Sequence, residues 1–514
     1  MASIVHARIG FTKLVDAAFA GANIGLPAEV GLAGIRTVIK KKQLSAITRL
    51  RETIPKLLRN QIMTLLVLYQ EQLSVLDDVI NAKSPSEAWA AEARFETHAD
   101  GSLKCKIGEQ VELMGDDFPS KSMLVVTALS REARRAYLKA LQCGHTLFFA
   151  GPPGTGKTET AKDITFMLGR EPTVFNASDI LTADKLIAKL AKVPKNIRSP
   201  VIIDEFNRIP TAEQKAILQR IEKERPGQFV ILTANPGYAG RHPVEVPTQV
   251  LKFTRPKLDM ILEAMFATHG FLKFEALAKS LLAFNTDCQT RCSNQSFYDY
   301  GLRSLKSIVK FTKAIASSNG YTDEVGALIQ AVTSQFYCRA VTKDKAVVID
   351  AVSRAFGKAW TIPDQFTGPL GLAQQAVATS HVRHGVLING VTDAQSVIKM
   401  VSTVATSGSP GTRVVTIEVD PKASLISSEG TLYSTMKSSI DSSDNVVVFL
   451  VMPGAPANEL LTPLNSLFDD NKKVTFDNGQ LIHKAPNMRF FVITADCSNF
   501  RPAVISRFGV VTVV

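Results

Sequence analysis

The chain has little of what marks the extreme classes of protein. Its 514 residues include six cysteines and two tryptophans, and its charged fraction is 21%. The cysteines (Cys105, Cys143, Cys288, Cys292, Cys338, Cys497) are scattered, which excludes a disulfide framework. Only Cys288 and Cys292 stand close together, and a C-x3-C without a second pair reads as a reduced helix face, not a zinc site. No apolar run reaches the ~18 residues of a membrane span; the nearest, Ile62 to Tyr69, is far shorter. The N-terminus lacks the basic start, long apolar core and small-residue cleavage site of a secretory signal. No heptad pattern lasts long enough for a coiled coil. An apolar fraction of 45% rules out wholesale disorder. What remains is a cytoplasmic globular protein of about three domains with no membrane partner.

Charge of one sign is in modest excess. Against 47 Asp+Glu stand 59 Lys+Arg, a net charge of +12. The basic residues are dispersed, and the one compact run, Lys40-Lys41-Lys42, is short and has no interleaved aromatics. Nucleic acid is therefore not expected as a partner; a basic surface or a face for an acidic partner is.

Residues 43–83 carry apolar positions at spacings of three and four and read as helix, interrupted at Pro55. Residues 93–115 alternate instead, which predicts short strands around Asp100-Gly101. From 121 the texture becomes α/β. Apolar strands are expected at Thr146–Ala150, Thr173–Phe175, Val201–Ile203 and Phe229–Thr233, separated by helices, which implies a parallel sheet covered on both faces. Residues 258–318 read as continuous helix, a cap on that core. A second α/β pass follows, with strands at Gly385–Asn389, Arg413–Val419, Asn445–Val451 and Met488–Thr494, and no cap after it.

The chemistry concentrates in the first pass. Gly151-Pro152-Pro153-Gly154-Thr155-Gly156-Lys157-Thr158 matches G-x-x-x-x-G-K-[ST] between a strand and a helix. In such a loop Gly151, Gly154, Thr155 and Gly156 turn backbone N–H groups around phosphate oxygens, and the helix N-terminus adds a favourable dipole. Lys157 reaches the β- and γ-phosphates, and the Thr158 hydroxyl ligates Mg²⁺. The strand Val201-Ile202-Ile203 ends in Asp204-Glu205, which reads as a carboxylate for hydrated Mg²⁺ followed by a general base. Asn235 ends the next strand, where an amide can orient water against the γ-phosphate or open an Asx turn. Asn176, ending Thr173–Phe175, stands where it could hold Glu205 in an inactive rotamer or cap a helix. The expected ligands are ATP and Mg²⁺.

These elements in this order, followed by a helical cap, look like an AAA+ ATPase module. GPPGTGKTET, VFNASD, DEFNRI, NPGYAGR and YDYGLRSLKS closely resemble the first AAA+ module of dynein heavy chains, although Pro153 stands where that family typically has Ala. The resemblance implies that Arg303 is the lid arginine contacting the γ-phosphate, and that Arg255, in FTRP, faces a neighbouring module as a finger. In the second pass VRHGVLING, DPKA, LNSLFDDNKKVTFDNGQLI and PAVISRFG resemble the second dynein module. The last of these implies that Arg507 is the finger inserted into the first module's site. The resemblance covers roughly 95–514, with the first ~95 residues corresponding loosely to the end of a linker element.

The second pass departs from the pattern. Its phosphate loop reads Gly390-Val391-Thr392-Asp393-Ala394-Gln395-Ser396-Val397: Ser396 holds the lysine position and Asp393 would repel phosphate. Leu450-Val451-Met452 stand where a metal carboxylate is expected. This module reads as catalytically dead. The expected organisation is a helical, linker-like segment over 1–120, an active AAA+ module with its lid over 121–365, and a degenerate module without a lid over 366–514. The function implied is ATP hydrolysis in the first module with Arg507 donated by the second. The chain would be a fragment or shortened paralogue of a motor heavy chain. Its expected partners are other AAA+ modules or dynein subunits, with microtubules reached only indirectly, at the cytoskeleton or axoneme. The competing readings are a stand-alone oligomeric remodelling ATPase resembling MoxR or midasin, and an assembly protein that binds ATP without turnover.

Overall fold

The computed structural model describes every residue except 1, 21–30, 99, 117–123, 145, 153–154, 178–181, 192–199, 225, 238–240, 245–248, 255–256, 296, 364–367, 408–410, 441, 453–457, 470–471, 499, 501, 506 and 514. Gly154 and Arg255 thus lie outside the described residues. The chain divides into two compact units, Met1–Leu272 and Lys273–Val514.

The first unit begins with helices Ala2–Phe19, Leu32–Arg49 and Lys56–Ile80, the last starting directly after Pro55, whose missing N–H costs nothing there. An antiparallel meander follows: β1 (Arg94–Thr97), β2 (Leu103–Ile107) and β3 (Gln110–Leu113). These helices dock through charge as well as apolar packing. Helix Ala128–Cys143 carries Arg131 and Arg134. Arg134 pairs with Glu71, which also takes Arg8 at 3.5 Å, and Arg131 pairs with Asp78 and Glu92. Burial pushes the Glu71 carboxyl up, but Arg134 and Arg8 outweigh it and hold it below the ordinary value of 4.5.

The rest of that unit is a parallel sheet of β4 (Leu147–Ala150), β5 (Thr173–Asn176), β6 (Val201–Asp204), β7 (Val230–Ala234) and β8 (Gln249–Lys252), in the order β5-β6-β7-β4-β8. The central strands read LFFA, VIID and VILTA because helices cover both faces, and Leu147, Phe149, Ile202, Ile203, Ile231 and Leu232 are fully buried. Truncating Phe149 to Ala would cost about 3–5 kcal/mol.

In the second unit, helices Phe274–Arg291, Leu302–Ser318, Glu324–Val332 and Thr342–Phe356 precede another parallel sheet. The continuous helix expected over 258–318 is in fact three, Leu258–Thr268, Phe274–Arg291 and Leu302–Ser318. Gly270, at φ +91°, makes the first break, and the chain leaves the second helix at Cys292, whose ψ is 155°. The second sheet comprises β9 (Val386–Asn389), β10 (Arg413–Glu418), β11 (Val446–Val451), β14 (Met488–Thr494) and β15 (Gly509–Thr512), with the hairpin β12 (Lys473–Thr475) and β13 (Leu481–His483) inserted before β14. Its order, β10-β11-β14-β9-β15, repeats the topology of the first sheet strand for strand. The α/β fold of two parallel sheets flanked by helices, preceded by a mainly helical segment, is therefore the one expected. The helices after Lys273 pack on this second sheet: Thr512 donates from N to Cys338 O at 2.8 Å and from Oγ1 to Arg339 O at 3.0 Å.

Candidate functional site

The C-terminal edge of a parallel sheet is where strand ends and helix starts meet, and the first sheet gathers its polar residues there. β4 ends at Ala150, and helix Lys157–Met167 begins seven residues later. Two glycines are demanded by the backbone. Gly156 caps that helix at φ +83° in the left-handed region. A Cβ on Gly151 would stand 2.3 Å from Phe253 O, because β8's continuation closes against the loop.

Lys157 is buried, at 6% exposure, and folds back on its own loop. Its ammonium donates to Gly151 O at 2.9 Å and Pro152 O at 2.6 Å, with Thr155 Oγ1 at 3.3 Å. Thr155 in turn donates to Pro152 O at 2.9 Å. Burial pushes the lysine below its ordinary value, against the pull of Asp204 and Glu205. A cation whose hydrogen bonds among the described residues go to neutral carbonyls and a hydroxyl is suited to exchange them for phosphate oxygens.

Thr158 Oγ1 donates to Asp204 Oδ1 at 2.6 Å, and Thr233 Oγ1 donates to the same oxygen at 2.5 Å. Thr233 also accepts the Glu205 N–H at 3.1 Å, so β6 and β7 are pinned at their tips. Thr158 and Asp204 form the hydroxyl–carboxylate pair expected around Mg²⁺, and the donor set suits that hard, oxygen-seeking cation.

Glu205 leaves β6 at φ +56°, ψ +39°, a left-handed conformation that costs a non-glycine residue roughly 1–2 kcal/mol. Its carboxylate is held by three groups. Asn235 Nδ2 donates at 3.3 Å, Arg241 stands at 3.2 Å, and Arg208 pairs with the other oxygen. Asn235 is itself fixed by a reciprocal pair with Asn207: Asn235 N donates to Asn207 Oδ1 at 3.3 Å, and Asn207 Nδ2 to Asn235 O at 3.1 Å. The Asn235 Oδ1 is buried without a partner among the described residues. Asn176 ends β5 in register with Asp204 and is exposed.

Lys157, Thr158, Asp204, Glu205 and Asn235 are thus brought together. Arg208 and Arg241 were not singled out from the sequence, although both lie in strings that carry the resemblance, DEFNRI and NPGYAGR. Arg208 was marked by its spacing, three residues after Glu205, whereas nothing in the sequence spacing marks Arg241.

Arg303 and Arg507 belong to the second unit, where both line one cavity of about 250 Å³ with Lys306, Lys310, Arg383 and Asp469. Burial, followed by the nearby charge of Arg303, lowers the affinity of Arg507 for its proton; Asp469, 3.7 Å from Arg507 Nε, opposes both. This concave patch is strongly basic, the complement of a polyanion.

In the second sheet the corresponding loop is short. Residues 390–393 join β9 to helix Ala394–Thr406, against 151–156 in the first. Asp393 caps that helix, accepting the Ser396 N–H at 3.2 Å, so a carboxylate takes the donor a phosphate would need. β11 ends in Val451 and the buried Met452, without a carboxylate.

Comparison with known proteins agrees with this geometry. The family model for the hydrolytic ATP-binding site of the dynein motor region matches residues 118–225 and 220–412. Human dynein axonemal heavy chain 8 is 25% identical over 537 residues, covering 90% of this chain and 12% of that protein. Rat dynein axonemal heavy chain 5 is 25% identical over 520 residues (87% and 15%), and the ciliary dynein beta chain of the sea urchin Heliocidaris crassispina 26% over 454 (75% and 10%). The chain spans only a small part of the length of these relatives.

Proposed function

Because this chain belongs to the dynein motor family through its hydrolytic ATP-binding region, we propose that its first sheet binds Mg-ATP and hydrolyses the γ-phosphate. The observation that carries the reading is the convergence of Lys157, Thr158, Asp204 and Glu205 on one strand edge, with Thr158 Oγ1 and Asp204 Oδ1 2.6 Å apart. Thr158 and Asp204 would hold Mg²⁺, which when bound neutralises charge building on the phosphates. The 151–156 loop cradles the phosphates, and Lys157 moves its ammonium from Gly151 O and Pro152 O onto them. Glu205 takes a proton from the attacking water, whose position Asn235 fixes through its amide. For Glu205 to do so it must exchange its pairing with Arg208 and Arg241 for water.

Residues 121–365 form the hydrolysing module, 366–514 a degenerate one and 1–120 a linker-like segment. The lid helices follow the first sheet in sequence but pack with the second sheet in one compact unit. Arg303 and Arg507 share a cavity within that unit. Their assignment as γ-phosphate contacts rests on the resemblance of YDYGLRSLKS and PAVISRFG to the dynein modules, and a finger of this kind is worth roughly 10³–10⁵ in rate. Asp393 and Met452 leave the second module unable to hydrolyse. The names of the relatives, axonemal and ciliary, support work beside other heavy-chain modules at the cytoskeleton, with microtubules reached through the rest of such a motor.

Steady-state phosphate release tests the reading. Glu205→Gln should bind ATP and release phosphate about 10²–10⁴-fold more slowly than wild type. A wild type no faster than that variant would leave a binding protein and no enzyme.

A further inference from the structure

The first helix of the second unit ends on two thiols that the nucleotide reading does not use. Cys288 is fully buried, and Cys292, one turn later, is partly exposed. The backbone joins them through Cys292 N to Cys288 O at 3.0 Å, one helical turn apart. The Tyr300 hydroxyl donates to Cys288 O at 3.3 Å, while Asn285 Nδ2 donates to Tyr300 O at 3.1 Å.

The two sulfurs are not equivalent. The Cys288 proton is kept by the neighbouring Cys292 and by burial, so that thiol is pushed up. At Cys292 the neighbouring Cys288 thiol favours the thiolate over the opposing effect of burial; Tyr300 and Arg291 act in the same sense as Cys288 and Asp344 against it. Asp287 and Arg339 are the charged groups beside Cys288. The remaining buried thiols, Cys105, Cys338 and Cys497, are all pushed up to about 12 and are inert by comparison.

We propose that Cys292 and Cys288 form a peroxide-sensitive redox site, with Cys292 as the attacking thiolate and Cys288 as the resolving thiol. The Cys292 sulfur displaces hydroxide from hydrogen peroxide and becomes a sulfenic acid; the hydroxide leaves as water after taking a proton. The Cys288 sulfur then attacks it, its proton joins the departing hydroxyl as water, and a Cys288–Cys292 disulfide remains. A dithiol returns both thiols. This site stands on the geometry of the helix end and is independent of the nucleotide reading.

Closure has a mechanical consequence. Cβ atoms four residues apart on a helix are about 5–6 Å from each other, whereas a disulfide needs roughly 3.5–4.5 Å. The last turn must therefore give. Cys292 is the place where it can, since its backbone has already left the helix at ψ 155°. The strain passes into the segment that ends at Gly301, which caps the helix bearing Arg303.

The test uses the whole reduced chain. Under limiting iodoacetamide at neutral pH, peptide mass mapping should show Cys292 alkylated about threefold or more faster than the exposed Cys143. Hydrogen peroxide should then remove two hydrogens from the peptide holding Cys288 and Cys292, reversibly with dithiothreitol. In Cys288→Ala, dimedone should trap the sulfenic acid on Cys292. Alkylation of Cys292 no faster than Cys143 would overturn the proposal, as would peroxide leaving both thiols of the wild-type pair free.

Discussion

Lys157 offers the sharpest separation between a ligand-binding lysine and a structural one. In this structure the residue is 6% exposed and its ammonium donates to two backbone carbonyls, at 2.9 and 2.6 Å. Each charge-assisted hydrogen bond is worth about 1.5–3 kcal/mol, so replacing the residue removes some 3–6 kcal/mol of gross interaction. Three effects offset that. The carbonyls belong to a partly exposed loop and regain water. The buried ammonium no longer has to be desolvated. And the lysine's lowered pKa means that the folded state disfavours its charged form at neutral pH, a penalty relieved only as pH rises toward 10.5. Lys157→Met should therefore leave the ligand-free chain within about 1 kcal/mol of wild type, or slightly more stable. The ligand response should change completely. At ATP a hundredfold above Kd, binding stabilises wild type by about 2.7 kcal/mol, a shift of roughly 5–10 °C for a unit of this size. In Lys157→Met at the same ATP concentration that shift should vanish. Thermal denaturation with and without Mg-ATP reads both quantities. If the variant loses more than ~2 kcal/mol without ligand, or gains as much from ATP as wild type, the lysine is a structural clasp and the argument fails.

Arg507→Ala should lose turnover by roughly 10³-fold or more while ATP affinity is largely kept; unchanged phosphate release would remove Arg507 from the site. Gly151→Ala places a methyl 2.3 Å from Phe253 O, a backbone atom that cannot step aside, so ATP-dependent stabilisation should be lost along with about 1–3 kcal/mol of stability, measured by urea denaturation. Glu71 has a folded-state pKa below its unfolded value, so its contribution is complete above about pH 4.5 and is lost as pH falls through the lowered value. Glu71→Gln, which removes the carboxylate that Arg134 and Arg8 share, should cost about 3–5 kcal/mol at pH 7 and flatten that acid limb; an acid transition identical to wild type would show that the ion pairs are idle.

The sequence was most informative where burial on two sides left no choice of residue. Runs such as Ile202-Ile203 and Val446–Val451 gave their strands away because a covered parallel strand is apolar throughout. The phosphate loop was legible because glycine and lysine there answer to backbone geometry and charge. β8 was not anticipated: Gln249–Lys252 is a polar-flanked edge strand with Val250 half exposed, and it signals nothing until it pairs with β4. β15 was hidden for a related reason, since Gly509–Thr512 looks like a terminal tail until it closes on β9. The three helices taken as one show how a local break at Gly270 disappears inside an apolar stretch. Of the resting partners of Glu205, Arg208 was within reach at three residues' spacing on one short helical turn, whereas Arg241 meets it only through the fold.

Asp393 also decides how reversible the decay of the second loop is. Its carboxylate holds the Ser396 amide, and the helix behind it has grown back to Ala394, taking up residues that in the first loop still turn. Ser396→Lys would restore a cation to a place with no loop to present it, beside a carboxylate that competes for it. A phosphate cradle at this place needs the aspartate removed, glycines introduced and the loop lengthened together. On the function proposed above, the second module is thus fixed in a form that one substitution does not return to hydrolysis.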